Sequence, residues 1–129
     1  MCSSDLPVLI YTEAAAQERA EVVVLPSVEP AAVLADLYAR GIRSVLVEGG
    51  AEVLASFVSS GCYDRVMVDC APLLIGGKNA PGPLAGAGFL DLAGAARLEE
   101  FEARKRGGDL ILTGYRKGCL PALSSSVGV

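Results

Sequence analysis

Ser44–Ser60, SVLVEGGAEVLASFVSS, is the stretch whose reading sets the architecture. Val45, Leu46 and Val47 form an unbroken apolar run ahead of Glu48 and the Gly49–Gly50 pair, the pattern of a central strand in a covered sheet. Beyond the glycines, Val53, Leu54, Phe57 and Val58 recur at helical spacing, and Gly61 supplies a C-terminal stop. The stretch therefore predicts strand, tight turn and helix in immediate succession. Two glycines allow close backbone approach, and the free N–H groups of a helix start favour an anion such as phosphate. Glu48 falls at the carboxyl end of the predicted strand, where open α/β sheets place their ligand chemistry. On spacing alone the same residues also fit a plain turn, with Glu48 a solvated loop residue.

Working upstream, Pro7–Tyr11 (PVLIY) and Val22–Leu25 (VVVL) read as strands, and Pro26 ends the second. Thr12–Ala20 between them is Ala- and Glu-rich, either a short helix or a loop with helical leanings. Ser27–Gly41 predicts a helix with Ser27 as N-cap and Pro30 in the first turn. Val33, Leu34, Leu37 and Tyr38 share one of its faces. Downstream, Asp64 and Arg65 lead into a strand at Val66–Val68, and Leu73–Ile75 continue extended past Pro72 to a bend at Gly76–Gly77. Lys78–Gly94, rich in Gly, Pro and Ala, reads as a loop long enough to be either functional or poorly ordered, and Lys78 as a solvated cation or a phosphate partner. Ala96–Lys105 and Asp109–Tyr115 form a closing hairpin, with Phe101 and Tyr115 as core aromatics and Arg104–Arg106 as a solvated face. The predicted class is α/β: a mixed, mainly parallel sheet with flanking helices and a C-terminal antiparallel hairpin.

Composition narrows the function. The chain has 129 residues, 52% hydrophobic and 20% charged, which fits one globular domain with a core. Its net charge of −4, with Arg104–Arg106 as the single basic run, argues against a nucleic-acid partner. No apolar run approaches a membrane span and no charged-then-apolar leader is visible, so a soluble cytoplasmic protein is expected. Cys2, Cys62, Cys70 and Cys119 lie far apart without zinc spacing, and no metal is expected. The sequence has no histidine, which removes Ser-His and Cys-His nucleophile machinery. Any chemistry must run on carboxylates, amines, backbone groups or a bound cofactor. Met1–Leu6, MCSSDL, resembles an in-frame translation of the end of a sequencing adapter and is set apart from the fold as an artefact, which the underlying codons would test.

Three motifs in order carry a family resemblance: VEGGA at Val47–Ala51, SGCYDRVMVDCAPLLIGG at Ser60–Gly77 and GGDLILTGY at Gly107–Tyr115. Together they resemble the reductase domain at the C-terminal end of the bifunctional riboflavin-biosynthesis deaminase/reductase. The likeness spans roughly Pro7–Tyr115, with Arg65 standing where the family often has Glu.

The resemblance implies a dihydrofolate-reductase-like fold over residues 7–116, followed by a flexible tail at 117–129. It also implies NADPH-dependent reduction of 5-amino-6-(5-phosphoribosylamino)uracil to the ribitylamino product, with hydride passing to C1′ of the opened ribose. Glu48 matches the substrate-contacting position. Gly49, Gly50, Ala51, Glu52, Val53, Leu54, Ala55 and Ser56 match the turn and helix start that hold the cofactor. The Gly49–Gly50 peptide is expected to be cis, as in dihydrofolate-reductase-like relatives; the resemblance assigns no catalytic residue. The family's earlier segments, with a Ser-Leu-Asp-Gly-type motif and most of the basic substrate-binding residues, are expected before Pro7. The domain is therefore read as incomplete, inactive alone, and a homodimer in the full-length protein. Alternatives are another pyrimidine or dihydrofolate-type reductase, or a non-catalytic nucleotide-binding or dimerisation module.

Overall fold

The computed structural model describes residues 8–14 and 20–120. Residues 1–7, including the first residue of the predicted Pro7–Tyr11 strand, residues 15–19 in the middle of the Thr12–Ala20 element and the end of the tail (121–129) lie outside the described residues. The chain divides into two compact units, Met1–Val47 and Glu48–Val129.

In the first unit, β1 (Leu9–Thr12) and β2 (Glu21–Val24) pair in parallel, from Leu9 opposite Glu21 to Thr12 opposite Val24. Helix α1 spans Pro30–Ala39, starting later than Ser27. The Ser27 hydroxyl accepts the Glu29 N–H at 3.1 Å, holding a turn ahead of the helix, and Glu29 becomes the N-cap. Pro30 then takes a position where a missing N–H costs nothing. At the other end, Gly41 adopts φ +87°. Its N–H bonds the Tyr38 carbonyl and the Ile42 N–H bonds the Leu37 carbonyl, both at 3.0 Å. That pair is a Schellman stop, and it needs a residue tolerant of the left-handed region.

A polar chain ties this helix to both strands. The Tyr11 hydroxyl donates to Asp36 Oδ2 at 2.9 Å, Arg40 Nε donates to the same oxygen, and a second Arg40 nitrogen reaches Glu21 Oε1 at 2.7 Å. The Arg40 guanidinium, and then the Tyr11 hydroxyl, hold the Asp36 carboxyl below its ordinary value. Burial, and then the Asp36 carboxylate beside it, push the Tyr11 phenol up. Hydrogen bonds to Glu21 and then Asp36 hold the Arg40 charge more firmly still.

The second unit opens with α2 (Ala51–Ser59), which ends in the same way. Gly61 sits at φ +69°, with its N–H on the Val58 carbonyl and the Cys62 N–H on the Phe57 carbonyl. Strands β3 (Arg65–Cys70), β4 (Leu98–Arg106) and β5 (Asp109–Arg116) form an antiparallel sheet in the order β3-β5-β4. Val66, Val68 and Cys70 lie opposite Gly114, Leu112 and Leu110 on one face; Arg65, Met67 and Asp69 lie opposite Tyr115, Thr113 and Ile111 on the other. The β4–β5 turn is the two-residue loop Gly107–Gly108. A positive φ of +61° at its first central position only is the pattern of a II′ hairpin.

Five expectations are corrected. Val45–Val47 forms no strand, and Leu46 is 78% exposed. The mainly parallel single sheet is replaced by a two-stranded parallel sheet and a three-stranded antiparallel one, within a mixed α/β class. An apolar run has the propensity for a central strand but becomes one only when strands lie on both sides of it, and residues 45–47 have no ladder partner among the described residues. Leu73–Ile75 is not extended sheet either. Behind Pro72, the Leu73 N–H bonds the Ala71 carbonyl at 2.8 Å, a tight turn that takes the chain off β3. Phe101 is 60% exposed instead of core, because β4 is the edge strand of its sheet and is exposed on both faces from Glu99 to Arg106; a bulge between Glu99 and Glu102, with Glu100 at φ +49°, also breaks its alternation. Finally, no peptide bond among the described residues is cis, so the Gly49–Gly50 bond is trans.

The Asp36 network predicts a pH signature. Since the folded state lowers this carboxyl, its contribution is fully present above the ordinary value of 3.8 and is lost as pH falls through the lower folded value. Asp36→Asn is expected to lower the thermal midpoint at neutral pH, with the gap to wild type closing in acid below 3.8 when followed by circular dichroism. A gap of constant size at every pH would remove the ionic account of this tie.

Candidate functional site

The start of α2 is built entirely from backbone. Gly50 is the N-cap, extended at φ −62° and ψ 169°, and no side chain caps the helix. Its carbonyl accepts the Leu54 N–H at 3.1 Å, the first helical bond. The N–H groups of Ala51, Glu52 and Val53 therefore have no acceptor among the described residues. They add to the positive end of the helix dipole, and the Glu52 carboxylate in the same turn offsets part of that field.

The two glycines serve different purposes. A Cβ on Gly49 would lie 2.8 Å from both Cβ and Cγ1 of Val53, a distance that no packed pair tolerates. A Cβ on Gly50 would meet nothing within 4 Å. Gly49 is thus required by its own helix, whereas the φ of Gly50 suits any residue and the space in front of it is open. An incoming group meets only backbone there.

Along the side of α2 runs a segment of the long loop, residues 84–89. The Ala85 N–H donates to the Ala51 carbonyl at 3.1 Å. Gly86, at φ +78°, passes close enough that a Cβ would lie 3.8 Å from Glu52 Oε2 and 3.9 Å from Ala55 Cβ. Between helix and loop lies a groove of about 390 Å³, walled by Ala55, Val58, Leu84 and Phe89, with Glu52 as its charged group. That volume is in the range of small-molecule pockets. The hydroxyl of Ser56, which also lines it, donates to the Val53 carbonyl at 2.7 Å, so its proton is used within the helix.

Of the residues singled out from sequence, the structure gathers Gly50, Ala51, Glu52 and Val53 at one helix start. The N–H groups of Leu54, Ala55 and Ser56 lie beyond the first turn, where helical bonding uses them. Glu48 is exposed, takes no hydrogen bond or ion pair among the described residues, and is not part of the groove lining. Lys78 is likewise exposed in its loop. Asp64 is a turn residue whose carbonyl accepts the Arg116 N–H at 2.8 Å. Reading the sequence did not find the contact between residues 84–89 and α2; the available signal was the length of Lys78–Gly94 with Gly82, Gly86 and Gly88 inside it. Among the described residues no helix is long and apolar enough to cross a membrane, and no three His, Cys, Asp or Glu side chains are grouped to hold a metal ion.

Comparison with known proteins places this geometry in context. A family model described as the RibD C-terminal domain matches residues 2–112. The riboflavin biosynthesis protein RibD of Bacillus amyloliquefaciens is 42% identical over 85 residues, covering 66% of this chain and 23% of that protein. The corresponding RibD of Synechocystis is 35% identical over 98 residues, 76% of this chain and 27% of the relative. A 2,5-diamino-6-ribosylamino-4(3H)-pyrimidinone 5′-phosphate reductase of Methanothermobacter thermautotrophicus is 36% identical over 104 residues, 79% of this chain and 48% of the relative. The chain thus spans between about a quarter and a half of the length of these relatives.

The glycine pair gives a direct check on the site geometry. Gly49→Ala is expected to destabilise the chain by about 1–3 kcal/mol through the clash with Val53. Gly50→Ala is expected to cost no more than about 1 kcal/mol, the loss of a tolerated N-cap residue. Urea denaturation of both variants measures this, and equal losses would mean that the two positions are not distinct.

Proposed function

Because the chain belongs to the family of RibD C-terminal domains, we propose that it forms the cofactor-holding part of a reductase of riboflavin biosynthesis. In this reading the enzyme reduces 5-amino-6-(5-phosphoribosylamino)uracil to the ribitylamino product. The observation that carries the reading is the uncapped start of α2, with open space over Gly50 and three unbonded N–H groups. This donor set suits the pyrophosphate of a nicotinamide dinucleotide, since peptide N–H groups and the helix dipole both favour an anion that can come close. NADPH is the form that the family resemblance implies. When bound, the cofactor supplies the hydride.

The chain's own residues then bind and orient. Ala51, Glu52 and Val53 offer N–H groups to the phosphates, and Gly50 keeps the approach clear. The apolar groove beside α2 keeps water from one side of the bound molecule. Glu48, next to this turn in sequence and exposed, is proposed to accept a hydrogen bond from a substrate hydroxyl. Hydride transfer asks chiefly for alignment and exclusion of water, so a site without histidine is adequate to it. An alternative substrate, the diaminopyrimidinone phosphate, is favoured by the Methanothermobacter thermautotrophicus relative that matches 79% of this chain.

Titration of the chain with NADPH and with NADH, followed by nucleotide fluorescence, tests the reading. Saturable binding is expected, and Gly50→Val should weaken it by about tenfold or more, because a branched side chain fills the space where phosphate must meet backbone. Undiminished binding by Gly50→Val would take the cofactor away from this helix start. In a longer chain carrying the whole reductase domain, Glu48→Gln is expected to lower turnover while leaving cofactor affinity unchanged. A matching loss of affinity would move Glu48 from substrate to cofactor.

A further inference from the structure

The peptide group joining Ala51 to Glu52 faces two ways. Its N–H, on Glu52, is one of the three unbonded donors at the helix start. Its carbonyl, on Ala51, accepts the Ala85 N–H of the neighbouring loop at 3.1 Å. An amide whose N–H donates to an anion becomes a better acceptor at its oxygen, because the two hydrogen bonds polarise the same conjugated unit in the same sense. An anion on the Glu52 N–H and the Ala85 N–H on the Ala51 carbonyl therefore strengthen each other.

From this we infer that residues 84–89 are a strap whose docking on α2 is coupled to anion binding at the start of that helix. Several features of the segment suit the role. Its one backbone tie to α2 among the described residues is the Ala85 bond, so the anchor is a single point. Gly86 and Gly88, at φ +78° and +64°, hold conformations that glycine enters and leaves at little cost. Leu84 and Phe89 bracket the tie and wall the groove, and Phe89 is still 44% exposed, leaving apolar surface to be covered as the strap tightens. By reciprocity, a docked strap must raise anion affinity by the same factor by which the anion favours docking. The strap rests on the reading of α2 as a cofactor phosphate site and adds a closing element to it.

Hydrogen exchange at the Ala85 amide of the full chain tests the coupling, read without ligand, with saturating NADPH and with inorganic pyrophosphate. Pyrophosphate occupies the helix start but is too small to fill the groove. The strap requires slower Ala85 exchange with both probes, and an Ala85→Pro variant, which lacks the donor, should bind NADPH about two- to tenfold more weakly. NADPH binding with unchanged Ala85 exchange, or unchanged affinity in Ala85→Pro, overturns the strap while leaving the cofactor site standing. Protection by NADPH but not by pyrophosphate would mean that the nucleotide simply covers Ala85, and this also overturns the coupling. Absence of binding by either probe overturns strap and cofactor site together.

Discussion

An α-helix cannot satisfy its own first N–H groups, and in this chain that constraint falls on Ala51, Glu52 and Val53 with no side chain supplied to relieve it. Ser, Thr, Asp or Asn at the N-cap would have closed the first turn, but position 50 is glycine. The result is a helix start that is less stable on its own and better suited to an outside acceptor. Gly49 works toward the same end differently: the chain enters the helix so close to Val53 that no Cβ fits, which sets the direction from which the first turn is approached. The neighbouring residues 84–89 then bond to the carbonyl side of that same turn.

The first unit rests on a different device. Val23 and Pro30 are the buried apolar side chains of this unit among the described residues, so apolar burial alone contributes modestly there. Tyr11, Asp36, Arg40 and Glu21 link β1, α1 and β2 through one shared carboxylate oxygen and one guanidinium. Charge-assisted bonds of this kind are directional, which apolar contact is not, and so they define how the helix is registered against the strands. Their exposure to solvent limits what each adds to stability, so the network specifies arrangement more than it supplies energy.

Much of the local structure was legible in the residues. Gly41 and Gly61 both end helices in Schellman stops, and Gly107–Gly108 turns the last hairpin. These outcomes follow from φ values that only glycine adopts readily, so sequence neighbours suffice to predict them. The free N–H groups of the helix start after Gly50 were legible for the same reason, since they depend on where the helix begins. Val45–Val47 and Phe101 were misread. The first has strand composition without partners among the described residues, and the second lies beside a bulge on an edge strand exposed on both faces. Neither strand pairing nor a bulge is encoded in alternation alone.

What this sequence determined by itself is therefore the set of elements whose forces act within a few residues: the presence of both helices, glycine stops, the hairpin turn, an uncapped helix start and a chemistry without histidine. Tertiary structure decided which strands pair, leaving one parallel and one antiparallel sheet where a single sheet was expected. It also decided that Ala85 meets the Ala51 carbonyl. The physical reason is range. A dihedral preference or a missing cap is settled by adjacent atoms, whereas a ladder or a loop–helix tie needs a donor and an acceptor far apart in the chain. Their meeting depends on closing the intervening loop, which no local pattern specifies.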